Sequence, residues 1–204
     1  MTQALSVDRP ARAPRHIPDR PPLLAVGVMI WLGSELMFFS GLFAAYFTIR
    51  AQQHHWPPLD GAKLDYVQAG IFSAVLLLSS PTFQLGVWAQ ERGERRRAVA
   101  WIVVSFLMGA AFLGNTLYEW HDFAGSHHGP ALNAYWSLFF VMTGIHGLHV
   151  ALGLVAMIFL LGRLGGRKGD PGETNVFQAV GYYWHFVDFM WLGIFSCLFL
   201  LKSG

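Results

Sequence analysis

Of the 204 residues in the chain, 54% are hydrophobic and 13% charged, about half the roughly 25% charged share of a soluble globular domain. Mean hydropathy is +0.41, and 14 Lys and Arg against 12 Asp and Glu leave a net charge of +2, which gives no electrostatic case for nucleic-acid binding. The single cysteine, Cys197, lies in an apolar run, excluding an intramolecular disulfide framework, a thiolate zinc site and a Cys-ligated iron–sulfur cluster.

Five apolar segments follow in chain order, at about residues 23–49, 64–90, 98–120, 135–161 and 176–201. Each exceeds the ~20 residues needed to cross a hydrocarbon core of about 30 Å. The runs are continuous rather than alternating, which predicts helices and not barrel strands. The expected fold is all-α, an integral bundle of five transmembrane helices over residues 23–204. It is preceded at 1–22 by a Pro- and Arg-rich tail without the apolar core of a signal peptide.

Basic residues set the expected orientation, because Lys and Arg are retained on the cytoplasmic side of short loops. Arg9, Arg12, Arg15 and Arg20 precede the first span, Arg92, Arg95, Arg96 and Arg97 join the second to the third, and Arg163, Arg167 and Lys168 join the fourth to the fifth. The opposite side has only Arg50, Lys63 and Lys202. The N-terminus is therefore expected in the cytoplasm and the C-terminus outside. Small-residue spacings at Gly41 and Ala45, Ala110 and Gly114, and Gly147 and Ala151 suit close helix packing in lipid.

Charged side chains at the bilayer centre cost about 2.5 to 3.5 kcal/mol even on the insertion scale, so polar residues inside the spans carry the functional information. Glu35 falls near the middle of the first span, and His146 and His149 near the middle of the fourth. Three residues apart on one helix face, the two histidines point toward a common partner. Glu35 and His149 are matched in depth and suited to hydrogen bonding, as an ion pair or as neutral acid and neutral ring. Such a contact serves either as a structural clasp or in proton handling. His185 and Asp188 in the fifth span are spaced to satisfy each other at i, i+3. Glu119, with Asn115, lies near the end of the third span, where interfacial solvation accounts for it.

A His-x-x-His pair with a carboxylate from another helix offers metal ligands. Di-metal bundles, however, use Glu-x-x-His pairs and additional Glu residues, and the spans contain no Glu-x-x-His. A b-type haem between His146 or His149 and His185 is a further arrangement of these residues. A small proton-coupled transporter using Glu35 and Asp188 is another class, though no inverted repeat is evident.

Four motifs then coincide with a known family: Ser34-Glu35-Leu36-Met37-Phe38-Phe39, Trp56-Pro57-Pro58, His146-Gly147-Leu148-His149-Val150, and Tyr183-Trp184-His185-Phe186-Val187-Asp188. In this order they resemble subunit III of the haem–copper oxidases, and most of all the short, five-helix bacterial form of cytochrome c oxidase subunit III. The resemblance implies a multi-pass subunit of the bacterial plasma membrane that holds no redox centre. It would pack on catalytic subunit I and subunit II, which hold the haem and copper, with further respiratory-complex subunits as additional partners. It implies support for proton uptake and for sustained turnover of the catalytic subunit, and bound phospholipid. Glu35 matches the family's buried carboxylate and Arg163 an arginine that meets a lipid phosphate. The equivalent subunit of a ubiquinol oxidase is the neighbouring alternative.

Overall fold

The computed structural model describes residues 23–53, 56–57, 65–125, 129–165 and 173–201. The expected tail at 1–22 and the basic residues Lys63, Arg167, Lys168 and Lys202 lie outside the described residues. Five long helices are present: α1 (Leu23–Ala51), α2 (Tyr66–Glu91), α3 (Arg95–Gly125), α4 (Ala134–Gly165) and α5 (Glu173–Phe195), the last continued by a π-helical turn at Ser196–Leu200. All five are long and apolar enough to cross a membrane. The boundaries differ most at α3, which begins before the apolar run and continues through Glu119 and Asp122. Hydropathy marks where lipid ends, whereas backbone hydrogen bonding continues into the interface.

Local signals explain where several helices start and stop. Asp65 caps α2 by accepting from the backbone N–H groups of Val67 at 3.0 Å and Gln68 at 2.9 Å, and Asn133 caps α4 by accepting from Trp136 N–H at 3.0 Å. Between α2 and α3 the chain reverses through Gly93, whose φ of +75° is left-handed. The Glu94 N–H then reaches back to the Ala89 carbonyl at 2.9 Å, a glycine-dependent helix ending. Pro81 stands inside α2 and removes one backbone donor. Next to it, the Thr82 and Ser105 hydroxyls both donate to the Ser79 carbonyl, at 2.7 and 3.2 Å.

Helices α2, α3, α4 and α5 form a closed ring, each packed on the next and α5 returning to α2. Helix α1 docks outside this ring, mainly on α5 with a smaller contact on α4. The difference shows in burial: 56% of the most apolar window of the last span is buried, against 11% for α1. Trp184 fills the centre of the ring and is fully buried. A Cβ on Gly153 would come within 2.5 Å of its indole and one on Gly109 within 2.8 Å, so two helices leave a slot for one large ring. The expected small-residue faces are not the close contacts. A Cβ on Gly41 or Gly114 would meet nothing within 4 Å, and one on Gly147 only Leu113 at 3.6 Å. Bulky side chains, aromatic at Gly109, Gly144, Gly153 and Gly193 and aliphatic Ile102 at Gly86, rather than backbone approach, determine where glycine is needed.

The end of the bundle carrying Arg95 and Arg163 is called here the arginine end. At the other end, Tyr46 of α1 donates its hydroxyl to the Cys197 carbonyl and accepts from Trp56 Nε1 at 3.0 Å. Tyr135 donates to the Leu198 carbonyl at 3.3 Å. Helix ends leave carbonyls without intrahelical donors, and these two phenols supply donors to the π-helical turn.

Candidate functional site

Glu35 and His149 meet between α1 and α4, with His149 Nε2 3.3 Å from Glu35 Oε2. The other ring nitrogen, Nδ1, lies 2.8 Å from the Ile145 carbonyl. A carbonyl only accepts, so Nδ1 bears hydrogen. A neutral ring therefore turns a lone pair toward Glu35 and accepts the carboxylic acid proton, whereas an imidazolium donates to the carboxylate. Phe39 covers the pair, its ring 5.2 Å from that of His149. Tyr183 donates to the His149 carbonyl at 2.8 Å and stacks on Trp31 at 5.3 Å.

His146 does not share this partner. Its ring stacks on Trp191 at 4.8 Å and meets the edge of Phe112 at 5.9 Å, and it is fully buried. Neither ring nitrogen has a hydrogen-bond partner among the described residues. The three-residue offset rotates the two imidazoles enough that His149 reaches the docked helix while His146 enters the ring of four. The expectation of a common partner is corrected accordingly.

The pairing of His185 with Asp188 is also corrected, because a residue from α2 stands between them. The Ser80 hydroxyl donates to Asp188 Oδ2 and lies 3.0 Å from His185 Nδ1. His185 Nε2 lies 3.2 Å from Gln84 Oε1. Asp188 is 4% exposed. Side chains on α5 point outward from its axis, and the closely packed α2 offers a hydroxyl nearer than the next turn. The same antiparallel seam contains Trp191 Nε1 donating to Ser73 at 2.9 Å, Trp184 Nε1 to Ser79 at 2.8 Å and Gln178 Nε2 to Glu91 at 3.0 Å. Ser80 and Gln84 are functional candidates that the sequence reading passed over. Their signal was two adjacent serines and a glutamine flanking a proline inside an apolar span.

Glu119 is not merely solvated. Asn115 donates to it at 3.0 Å, and Gln68 of α2 donates to Asn115 at 2.5 Å. At the arginine end, Arg95 donates through Nε to the Leu164 carbonyl at 2.5 Å and through Nη2 to the Arg163 carbonyl at 3.1 Å. It thereby caps α4. An apolar groove of about 340 Å³ opens between α1, α4 and α5, lined by Leu24, Val28, Trp31, Leu152, Ala156 and Tyr183 among others. Arg163 lies seven residues beyond Ala156, two turns further along the same face of α4. Among the described residues, no three His, Cys, Asp or Glu side chains gather as a metal-binding group.

A ring of long apolar helices with acid–imidazole contacts at mid-span defines a multi-pass membrane protein with buried titratable groups. Residues 16–203 match the family Cytochrome c oxidase subunit III, and the chain belongs to that family. It is similar to a probable cytochrome c oxidase subunit 3 of Mycobacterium tuberculosis, with 43% identity over 99% of this chain and 100% of the relative. The cytochrome c oxidase subunit 3 of Corynebacterium diphtheriae is 37% identical over 99% and 100%. A cytochrome bo(3) ubiquinol oxidase subunit 3 of Pseudomonas aeruginosa is 31% identical over 92% and 90%. The chain is thus subunit III of a haem–copper oxidase.

Proposed function

We propose that this subunit serves a proton-pumping cytochrome c oxidase of a bacterial plasma membrane. In this reading it packs on subunits I and II, which hold the haem and copper, and itself takes no part in electron transfer. The observation that carries the reading is the family match over nearly the whole chain. The electron donor is assigned to cytochrome c because identity is greater to the actinobacterial cytochrome c oxidase subunits than to the ubiquinol oxidase subunit. Purifying the tagged chain in mild detergent tests it: subunits I and II should accompany it with haem absorption. Copurification without haem proteins would overturn the assignment.

The arginine end is proposed to face the cytoplasm, with residues 1–22 forming a cytoplasmic tail, on the strength of the basic-residue asymmetry. Single cysteines placed in the connections after α2 and after α3 should label from opposite sides of sealed cells. Labelling from one side would refute the topology.

Glu35, His146, His149, His185 and Asp188 are proposed as the buried polar set that supports proton uptake and working life of the catalytic subunit. Glu35 and His149 serve this role by holding one proton between an outlying helix and the ring. Arg163 is proposed to meet a phospholipid phosphate. What supports this is an apolar groove of acyl-chain character on the same face of α4, two turns deeper in the membrane. Arg163→Gln should lower the phospholipid retained by the purified complex. Unchanged retention would remove the arginine from the lipid site.

A further inference from the structure

We propose that the seam between α2 and α5 is a proton inlet that loads Asp188 from the arginine end of the bundle through His185 and Ser80. The inference rests on the proton-related reading of these two residues and gives it a route. The route begins in a pocket of about 110 Å³ lined by Gln84, Val87, Glu91, Gln178, Tyr182 and His185. Liquid water occupies about 30 Å³ per molecule, so the space admits several. Glu91 is exposed at the arginine-end terminus of α2 and accepts from Gln178, which makes this the wet mouth of the pocket.

From the pocket inward, the polar atoms form an unbroken line. His185 Nε2 is 3.2 Å from Gln84 Oε1, His185 Nδ1 is 3.0 Å from Ser80 Oγ, and Ser80 Oγ is bonded to Asp188 Oδ2. Burial rises along it, from exposed Glu91 through half-buried Gln84, His185 and Ser80 to buried Asp188. Imidazole is suited to this position because it takes a proton at one nitrogen and releases one from the other. A proton from the pocket binds His185 Nε2, the Nδ1 proton passes to Ser80 Oγ, and the hydroxyl proton of Ser80 passes to Asp188 Oδ2.

The sequence of transfers balances, and it leaves every member of the line bonded. In the loaded form, Asp188 donates to Ser80 Oγ, Ser80 donates to Nδ1, and Nε2–H donates to Gln84 Oε1. In the unloaded form, Nδ1–H donates to Ser80, Ser80 donates to Asp188, and a rotated Gln84 amide donates to Nε2. The amide serves both states because its two ends are a donor and an acceptor. Asp188 Oδ1 has no partner among the described residues, so the line ends at this carboxyl.

The intact oxidase complex in lipid nanodiscs provides the test, by infrared spectroscopy of protonated carboxyls during exchange into D2O. A carboxyl C=O band should be present in wild type and missing from Asp188→Asn. Its deuterium shift should slow about tenfold or more in Ser80→Ala, the scale of one lost hydrogen bond on a rate. Ser80→Thr, which restores the hydroxyl, should recover the rate, and His185→Phe should slow it again. If Ser80→Ala fails to assemble, His185→Phe with Ser80→Thr carries the same comparison. No band assignable to Asp188 between pH 5 and pH 9, or equal exchange in wild type and in the assembled relay variants, overturns the inlet. This readout requires no turnover, so it separates failure of the route from failure of the proposed support for proton uptake.

Discussion

Two acid–imidazole pairs occupy the middle of this bundle, one in direct contact and one bridged, and they are built on different principles. Glu35 and His149 touch directly across the seam between an outlying helix and the ring, with side-chain exposures of 22% and 10%. His185 and Asp188 share one helix inside the ring, and their connection is supplied by Ser80 of its neighbour. The first contact depends on where α1 docks, and its carboxyl is partly open to the membrane. The second depends on the internal register of α2 against α5, which four further hydrogen bonds hold in place. Equal depth in the membrane therefore does not imply equal chemistry. One pair is a direct contact at a docking seam, and the other is a three-residue line bridged by a hydroxyl from the neighbouring helix.

The largest effect that sharpens this contrast comes from two tryptophans. Trp184→Ala empties the slot at the centre of the ring and should destabilise the bundle by about 3 to 5 kcal/mol. Trp31→Ala, on the exposed flank of α1, should cost under about 1 kcal/mol. Subunit dissociation in graded denaturant measures both, and equal losses would show that α1 is as integral as the ring. Next in size are double-mutant cycles. Glu35→Gln with His149→Ala should be coupled by about 0.5 to 3 kcal/mol, whatever residue stands at position 80. Coupling of His185→Phe with Asp188→Asn should fall within the roughly 0.5 kcal/mol limit of additivity once Ser80 is Ala. Persistent coupling there would mean that the two residues meet without the serine.

A smaller effect distinguishes the two openings at the arginine end. Arg95→Lys removes the forked contact with the last carbonyls of α4 and should cost about 1 kcal/mol. It should also lower phospholipid retention, because the Arg163 backbone loses its restraint, while deuterium exchange at Asp188 remains at the wild-type rate. The smallest effect is expected for Tyr182→Phe at the pocket between α2 and α5. That side chain is 44% exposed, so stability should stay within about 0.5 kcal/mol. A larger loss would mean that the phenol is bound to something the open pocket does not suggest.

The helices were legible because a hydrocarbon slab imposes length and apolarity on whatever crosses it. Their ends were less so, since polar residues such as Glu119 and Asp122 continue α3 beyond the slab. Depth alone singled out Glu35 and His149, which lie 3.3 Å apart. It failed for His146, because depth says nothing about azimuth and three residues of offset separate two environments. Ser80 escaped notice for a chemical reason. A serine in a membrane helix usually returns its hydroxyl to the preceding turn, as Ser73 does to Ala69 at 2.6 Å, and only the packing of α2 on α5 shows that Ser80 turns the other way. The glycines taught the same lesson: Gly109 and Gly153 are placed by one indole between two helices, a relation no spacing within either helix displays.

The docking of α1 also orders events during synthesis. Of the five helices this one precedes the others in the chain, yet its main support is α5, the last of the five. Its carboxyl at Glu35 waits for a histidine 114 residues downstream, about 10 seconds at ordinary elongation rates of roughly 5 to 20 residues per second. Throughout that interval α2 and α3 can close on each other without it. The ring is thus free to assemble as a hairpin and its successors, while the earliest helix is held in the membrane by its apolarity alone. A chain halted before α4 would leave an inserted acid with neither its imidazole nor its docking face.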